Sequence, residues 1–114
     1  MDLKTERKDF FELVYELVKC IPEGRVSSYG AIAKALGVGQ SSRMVGQALK
    51  NSAGDSAIPA HRVVNRMGIL TGRHSFSPPE RMEQKLASEG VEVKDDRVVR
   101  FKELFWDPMQ IVEN

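Results

Sequence analysis

The 114-residue sequence has a single cysteine, only two histidines and no apolar run near the roughly 20 residues a membrane helix needs. The lone thiol, Cys20, has no partner for an internal disulfide and fits a reducing, intracellular setting. Two histidines and one cysteine do not make a structural zinc site, so neither metal nor cofactor is expected. The N-terminal MDLKTERKDF is polar and mixed in charge, unlike a signal peptide, so no membrane partner and a cytoplasmic location are expected. Strong net charge is missing too: the formal value is +1, with 41% hydrophobic and 29% charged residues, as in an ordinary globular protein. This length suits one domain spanning 1–114.

What is present is unevenly spread. Residues 25–85 carry nine basic side chains (Arg25, Lys34, Arg43, Lys50, Arg62, Arg66, Arg73, Arg81, Lys85) against three acidic ones (Asp55, Glu80, Glu83). A neutral protein with a basic middle can offer a local footprint to a phosphate backbone. Charges on a solvated surface also cluster by chance, and the asymmetry alone does not separate the two.

Phe10, Leu13, Val14, Leu17, Val18 and Ile21 recur at helical spacing and predict an amphipathic helix ended by Pro22-Glu23-Gly24. Cys20, beside this stripe, reads as a buried structural thiol. Ser27 or Ser28 can cap a short helix through Leu36, with Gly37 at its C′ position. Gly37-Val38-Gly39 then forms a tight connector. Ser41 or Ser42 caps a second helix to about Lys50, with Val45, Ala48 and Leu49 facing inward. Such a pair matches helix-turn-helix logic and equally an ordinary helical hairpin in a small bundle. "HRVVNRMGILTGR" predicts a short hairpin or wing turning at Asn65–Gly68. Ser77-Pro78-Pro79-Glu80 has the form of a capping box for a helix ending at Gly90. "VEVKDDRVVRF" predicts a hairpin turning at Asp95-Asp96, and Phe105-Trp106 could cover a core edge or rim a pocket. The sum is a mostly α fold with a small β component, a winged helix-turn-helix-like single domain.

Within "IPAHRVVN", residues 58–65, a histidine and an arginine flank Ala60, which can do no chemistry. "PAHRVV" resembles the active-site "PCHRV" of O6-alkylguanine-DNA alkyltransferases with the nucleophilic cysteine replaced. "IPEGRVSSYGAIAKALG", "SSRMVGQALKN" and Ser88-Glu89-Gly90 resemble that family's flanking stretches in the same order, over most of residues 8–106. The family makes one irreversible transfer of an alkyl group from guanine O6 to a cysteine thiolate. A methyl group at position 60 cannot attack, so the chain resembles the alkyltransferase-like proteins, non-enzymatic relatives that bind O6-alkylguanine in DNA. Most relatives of that kind carry tryptophan where this sequence has Ala60, which implies a roomier pocket floor.

The resemblance assigns roles by position. Tyr29 would press on the backbone beside the damaged nucleotide; the bland reading is a tyrosine packed on the core. Arg43 would fill the gap left in the duplex, a need set by the few kcal/mol that flipping costs. As a merely solvated residue it would be oddly placed, because a helix N-terminus disfavours cations. Ser41, Ser42 and the helix-start amides would hold phosphates, and Gln47, Asn51 and Arg66 complete the DNA-binding set. Leu49, Pro59, Ala60 and Val63 would line the lesion pocket, although valine and leucine are more often core than pocket residues. Arg73 would stack on the base, or else touch only phosphate from an exposed wing. His61, Arg62 and Glu89 are expected to support the site structurally, with no catalytic residue.

The leading expectation is therefore a monomer that binds O6-alkylguanine in double-stranded DNA by nucleotide flipping. It would mark the lesion for nucleotide excision repair proteins or shield it from alkyltransferase, and would be nucleoid-associated if bacterial. The competing expectations are a winged-helix transcription regulator reading paired half-sites and a cysteine-to-alanine variant of an active methyltransferase. Enzyme action through Cys20 is disfavoured by its distance along the chain from the pocket residues.

Overall fold

A computed structural model describes the backbone of residues 3–37 and 41–112. The connector residues Val38 and Gly39 lie outside the described residues. The first helix, α1 (Leu3–Lys19), starts well before the apolar stripe. Val14, Leu17, Val18 and Ile21 are buried, but Leu13 is 48% exposed and Cys20 is exposed. Leu13 and Cys20 are seven residues apart, two helical turns, and so share one edge of the stripe. The buried face is turned the other way, toward Phe11 and Tyr15, which pack on the core. Cys20 is thus a surface thiol rather than the buried one expected, and its Sγ bonds only the Glu16 carbonyl at 3.4 Å.

Both helices of the helix-turn-helix pair form, but only the first has the predicted side-chain cap; Ser41 precedes the second without a capping bond. Ser28 caps α2 (Tyr29–Ala35) by accepting from the Ala31 amide at 3.2 Å, and Gly37 takes φ +82° just past its end. The second helix, α3 (Ser42–Asn51), buries Val45, Ala48 and Leu49. Tyr15 locks α1 onto it by donating its hydroxyl to the Ala48 carbonyl at 2.7 Å.

The wing differs from the expected hairpin. The Asn65–Gly68 turn closes, with the Asn65 amide bonding the Ile69 carbonyl at 3.0 Å. Yet Val63-Val64 (β2) pairs in parallel with Ser27-Ser28 (β1), and Ile69 bridges to Arg97 instead. β2 runs between two apolar clusters, and strand alternation sends Val63 into one and Val64 into the other. The first cluster joins α1, α2 and α3 with Ile58 and Trp106; the second gathers Val26, Leu70, Met82, Leu86, Val91 and Val98.

The capping box does not form either. Helix α4 (Glu80–Ser88) begins only after both prolines, with no side-chain cap. A residue that precedes proline is pushed out of the helical region, so neither Ser77 nor Pro78 can lead directly into a helix and the start moves to Pro79. The hairpin β3 (Val93–Lys94) and β4 (Arg97–Val98) turns where predicted, with Asp95 and Asp96 at φ +53° and +61°, as a two-residue primed turn requires. Two short helices, α5 (Phe101–Leu104) and α6 (Met109–Val112), close the chain. Arg25 ties this end down, donating to the Leu104 and Phe105 carbonyls at 2.9 and 2.8 Å. Trp106 is 6% exposed and covers a core edge. Among the described residues, no helix is long and apolar enough to cross a membrane.

Candidate nucleic-acid interface

Pro59 starts a 3-10 turn over Ala60–Arg62 that sets neighbouring side chains to different tasks. His61 is buried, and its Nε2 lies 2.7 Å from Glu89 Oε2. Arg62 grips the same carboxylate through Nε at 3.0 and 3.2 Å and Nη2 at 2.8 Å, while Nη1 donates to the Ile21 carbonyl at 2.8 Å. The Gly24 amide supplies a further bond at 3.2 Å. Burial pushes the Glu89 carboxyl upward, but the bonds from Arg62, His61 and Gly24 outweigh it and hold its pKa down to about 2. Burial lowers the His61 pKa below its usual 6.5, and the positive charges of Arg62 and Lys85 act in the same direction against the raising effect of Glu89. A carboxylate offers only acceptors, so the neutral ring carries its proton on Nε2 and donates it to Glu89. One carboxylate, at the end of α4, thereby fastens the 3-10 turn to the end of α1.

On the other side of that turn, Ala60 opens into a small recess of about 50 Å³. Tyr29, Leu49, Ile58, Gly72, Phe76 and Lys85 form most of its wall, with Ala53, Asp55 and Ser75 beside them. Burial raises the Tyr29 pKa, opposed by a hydrogen bond with Thr71, so the phenol stays neutral. Gly72 lies so close that a Cβ there would sit 2.6 Å from the Tyr29 hydroxyl. Of the expected pocket residues, Leu49 and Ala60 line this recess, whereas Pro59, Val63 and Arg73 do not. Val63 is fully buried, because its pairing with Ser27 turns it into the core. Arg73 turns away to the hairpin, where Nη1 meets Asp96 Oδ1 at 2.8 Å. Pro59 is half-buried and only begins the turn that carries Ala60. Sequence reasoning missed Gly72, Phe76 and Lys85, which come from distant segments. The one available signal was that Lys85 stands four residues before Glu89 and so on the same face of α4.

The third feature is the outer face of α3. Arg43, Gln47 and Asn51 fall at i, i+4 and i+8, all exposed and opposite the buried Val45, Ala48 and Leu49. Ser42 is exposed, and Ser41 makes no capping bond with its side chain. Because Leu49 also belongs to the recess, the exposed face and the cavity adjoin along one helix. Arg66 is exposed on the Asn65–Gly68 turn, beside a shallow groove that also takes in Arg97, Arg100 and Lys102. Arg25, Arg62 and Arg73 are committed to internal bonds, while Lys34, Arg43, Lys50, Arg66 and Arg81 are exposed without an ion pair among the described residues. Cys20 is not among the residues of the recess. No group of three or more metal-binding side chains occurs among the described residues.

The family of the 6-O-methylguanine DNA methyltransferase DNA-binding domain matches residues 9–91. Alkyltransferase-like protein 1 of Schizosaccharomyces pombe is 36% identical over 104 residues, covering 88% of this chain and 96% of the relative. The chain belongs to the alkyltransferase-like family. Another similar relative is the DNA base-flipping protein of Escherichia coli, 37% identical over 107 residues, covering 91% of this chain and 80% of the relative. Among solved structures, S. pombe Atl1 in complex with damaged DNA containing O6-carboxymethylguanine superposes with a TM-score of 0.79 at 36% identity. That match covers 87% of this chain and 95% of the other. The mostly helical architecture described above is accordingly the alkyltransferase DNA-binding-domain fold, shared by this alkyltransferase-like chain.

Proposed function

We propose that the chain binds O6-alkylguanine in double-stranded DNA by rotating the nucleotide into the recess over Ala60, without accepting its alkyl group. The observation that carries this reading is the pairing of a complete His61–Glu89–Arg62 brace with a thiol-free cavity wall at Ala60. Ala60 takes the place of the alkyltransferase nucleophile, and Cys20, exposed and not part of the recess wall, supplies no substitute. Arg43 fills the space vacated in the duplex, Tyr29 supports the rotated nucleotide, and Ser41, Ser42, Gln47, Asn51 and Arg66 contact the backbone. A bound monomer marks the lesion for excision repair or shields it from alkyltransferase, in the cytoplasm or on a bacterial nucleoid. The names of the base-flipping relatives and the relative's structure with damaged DNA support this reading.

The test uses one duplex with a single O6-methylguanine and the same duplex with guanine, followed by intact-protein mass. Tighter binding to the lesion with unchanged mass is expected. Equal affinities would sink lesion recognition, and a mass gain of one methyl group would make the protein an enzyme.

A further inference from the structure

Lys85 has no place in the roles assigned above, yet it forms part of the cavity wall. Helix α4 buries Met82 and Leu86 and delivers Glu89 to His61. Lys85, one turn before Glu89, therefore faces the same 3-10 turn. Its ammonium stands 5.8 Å from the centroid of the Phe76 ring, which also lines the recess. It has no carboxylate partner among the described residues. Glu89, the nearest acid on its own helix face, is already held by Arg62, His61 and the Gly24 amide. Asp55 lines the same recess, but it is exposed and its Oδ1 accepts from the Ala57 amide at 2.9 Å. The charge of Lys85 is felt at His61, next to Ala60 in the chain, and that of Asp55 at Tyr15.

A half-buried ammonium facing a cavity without its own counter-ion gains by meeting an anion there. We propose that Lys85 is an anion subsite of the lesion cavity, selecting O6 substituents that end in a carboxylate over neutral ones of the same size. The inference rests on the lesion-binding reading. In an alkyltransferase the group on O6 must approach the residue at position 60 for the thiolate to attack it, and Lys85 stands beside that position.

The experiment measures anisotropy binding of duplexes carrying a single O6-carboxymethylguanine, its neutral amide counterpart O6-carbamoylmethylguanine, O6-methylguanine or guanine. The wild-type chain is expected to favour the carboxylate over the amide by about three- to fivefold, the range for a partly exposed ion pair. Lys85→Met should bring that ratio to about one, and Lys85→Arg should restore most of it. Raising the salt should narrow the wild-type ratio. A wild-type ratio of one, or a ratio that survives in Lys85→Met, overturns the subsite while leaving lesion recognition intact. Failure of the wild-type chain to distinguish any lesion from guanine overturns both.

Discussion

The brace around Glu89 and the outer face of α3 lie in the same small protein and use their polar groups in opposite ways. At the brace every charge is spent internally: the side chains of His61, Glu89 and Arg62 are 10%, 7% and 15% exposed and bonded to one another. On α3, Arg43, Gln47 and Asn51 are exposed, and Arg43 forms no ion pair among the described residues. The two regions also differ in what they cost if disturbed. Removing one partner from a buried network leaves the other charge stranded, whereas removing a solvated side chain leaves nothing behind. The 3-10 turn lies between the two regimes, holding Ala60 in place by means of groups that never reach the cavity.

The sharpest way to break this contrast is at Glu89. Glu89→Gln strands the Arg62 guanidinium and should cost about 3 kcal/mol in denaturant unfolding, as for other buried pairs. A cost below about 1 kcal/mol would mean that the brace is not buried in solution. Acid should act on the same groups. The folded His61 resists protonation, so stability is complete above its ordinary value of 6.5 and begins to fall below it as the unfolded chain takes up the proton. The folded Glu89 remains ionised down to about 2 against an ordinary 4.5, so a second loss follows through that window. The Glu89→Gln variant should lose the second phase, which unfolding midpoints measured across pH would show.

At α3 the same kind of truncation should separate function from stability. Arg43→Ala is expected to change unfolding by no more than about 0.5 kcal/mol, since the side chain is solvated. It should nonetheless remove most of the preference for O6-methylguanine over guanine. If affinity for both duplexes drops alike, Arg43 is only a phosphate contact. Gly72→Ala probes the cavity between the two regions with a smaller effect. Its new methyl group would meet the Tyr29 hydroxyl at 2.6 Å, and the ring end must swing to make room. Lesion affinity should weaken by about 1 kcal/mol, roughly fivefold, with unfolding little changed. Unaltered lesion binding would show that the position of Tyr29 in the apo cavity does not matter.

Local chemistry was readable in part, since neither the Ser77 capping box nor a Ser41 side-chain cap forms, and long-range pairing was not. Ser28 and Gly37 announce the ends of α2 because capping is decided within a few residues, and Asp95-Asp96 announces the last hairpin for the same reason. The true partner of Val63-Val64 is Ser27-Ser28, a pair with no strand signal of its own, so two nearby apolar pairs suggested a hairpin instead. Along α1 the helical period was right, but it left open which edge is covered. Leu13 and Cys20 lost to Phe11 and Tyr15 because α3 packs on that side. The cavity was half legible: Leu49 and Ala60 followed from resemblance, while Gly72, Phe76 and Lys85 arrive on segments that only the fold brings together.

The remaining prediction carries the smallest effect and concerns the strand that the sequence hid. Ser27 is fully buried in β1, and its Oγ is the one buried side-chain polar atom without a hydrogen-bond partner among the described residues. Its register partner, Val63, is apolar and lies in the first core cluster. A hydroxyl buried without a bond forfeits its solvation and gains nothing in return, at about 1 kcal/mol or more. Alanine at this position keeps the backbone ladder and discards the oxygen, giving back part of that gain through the small void it leaves. Ser27→Ala should therefore stabilise the protein by somewhat under 1 kcal/mol in denaturant titration, with an unchanged slope. Destabilisation of that size would show that Oγ does find a partner in solution. The expected stabilisation marks Ser27 as a buried polar group that the fold tolerates without using, unlike Glu89, whose polar atoms hold the brace together.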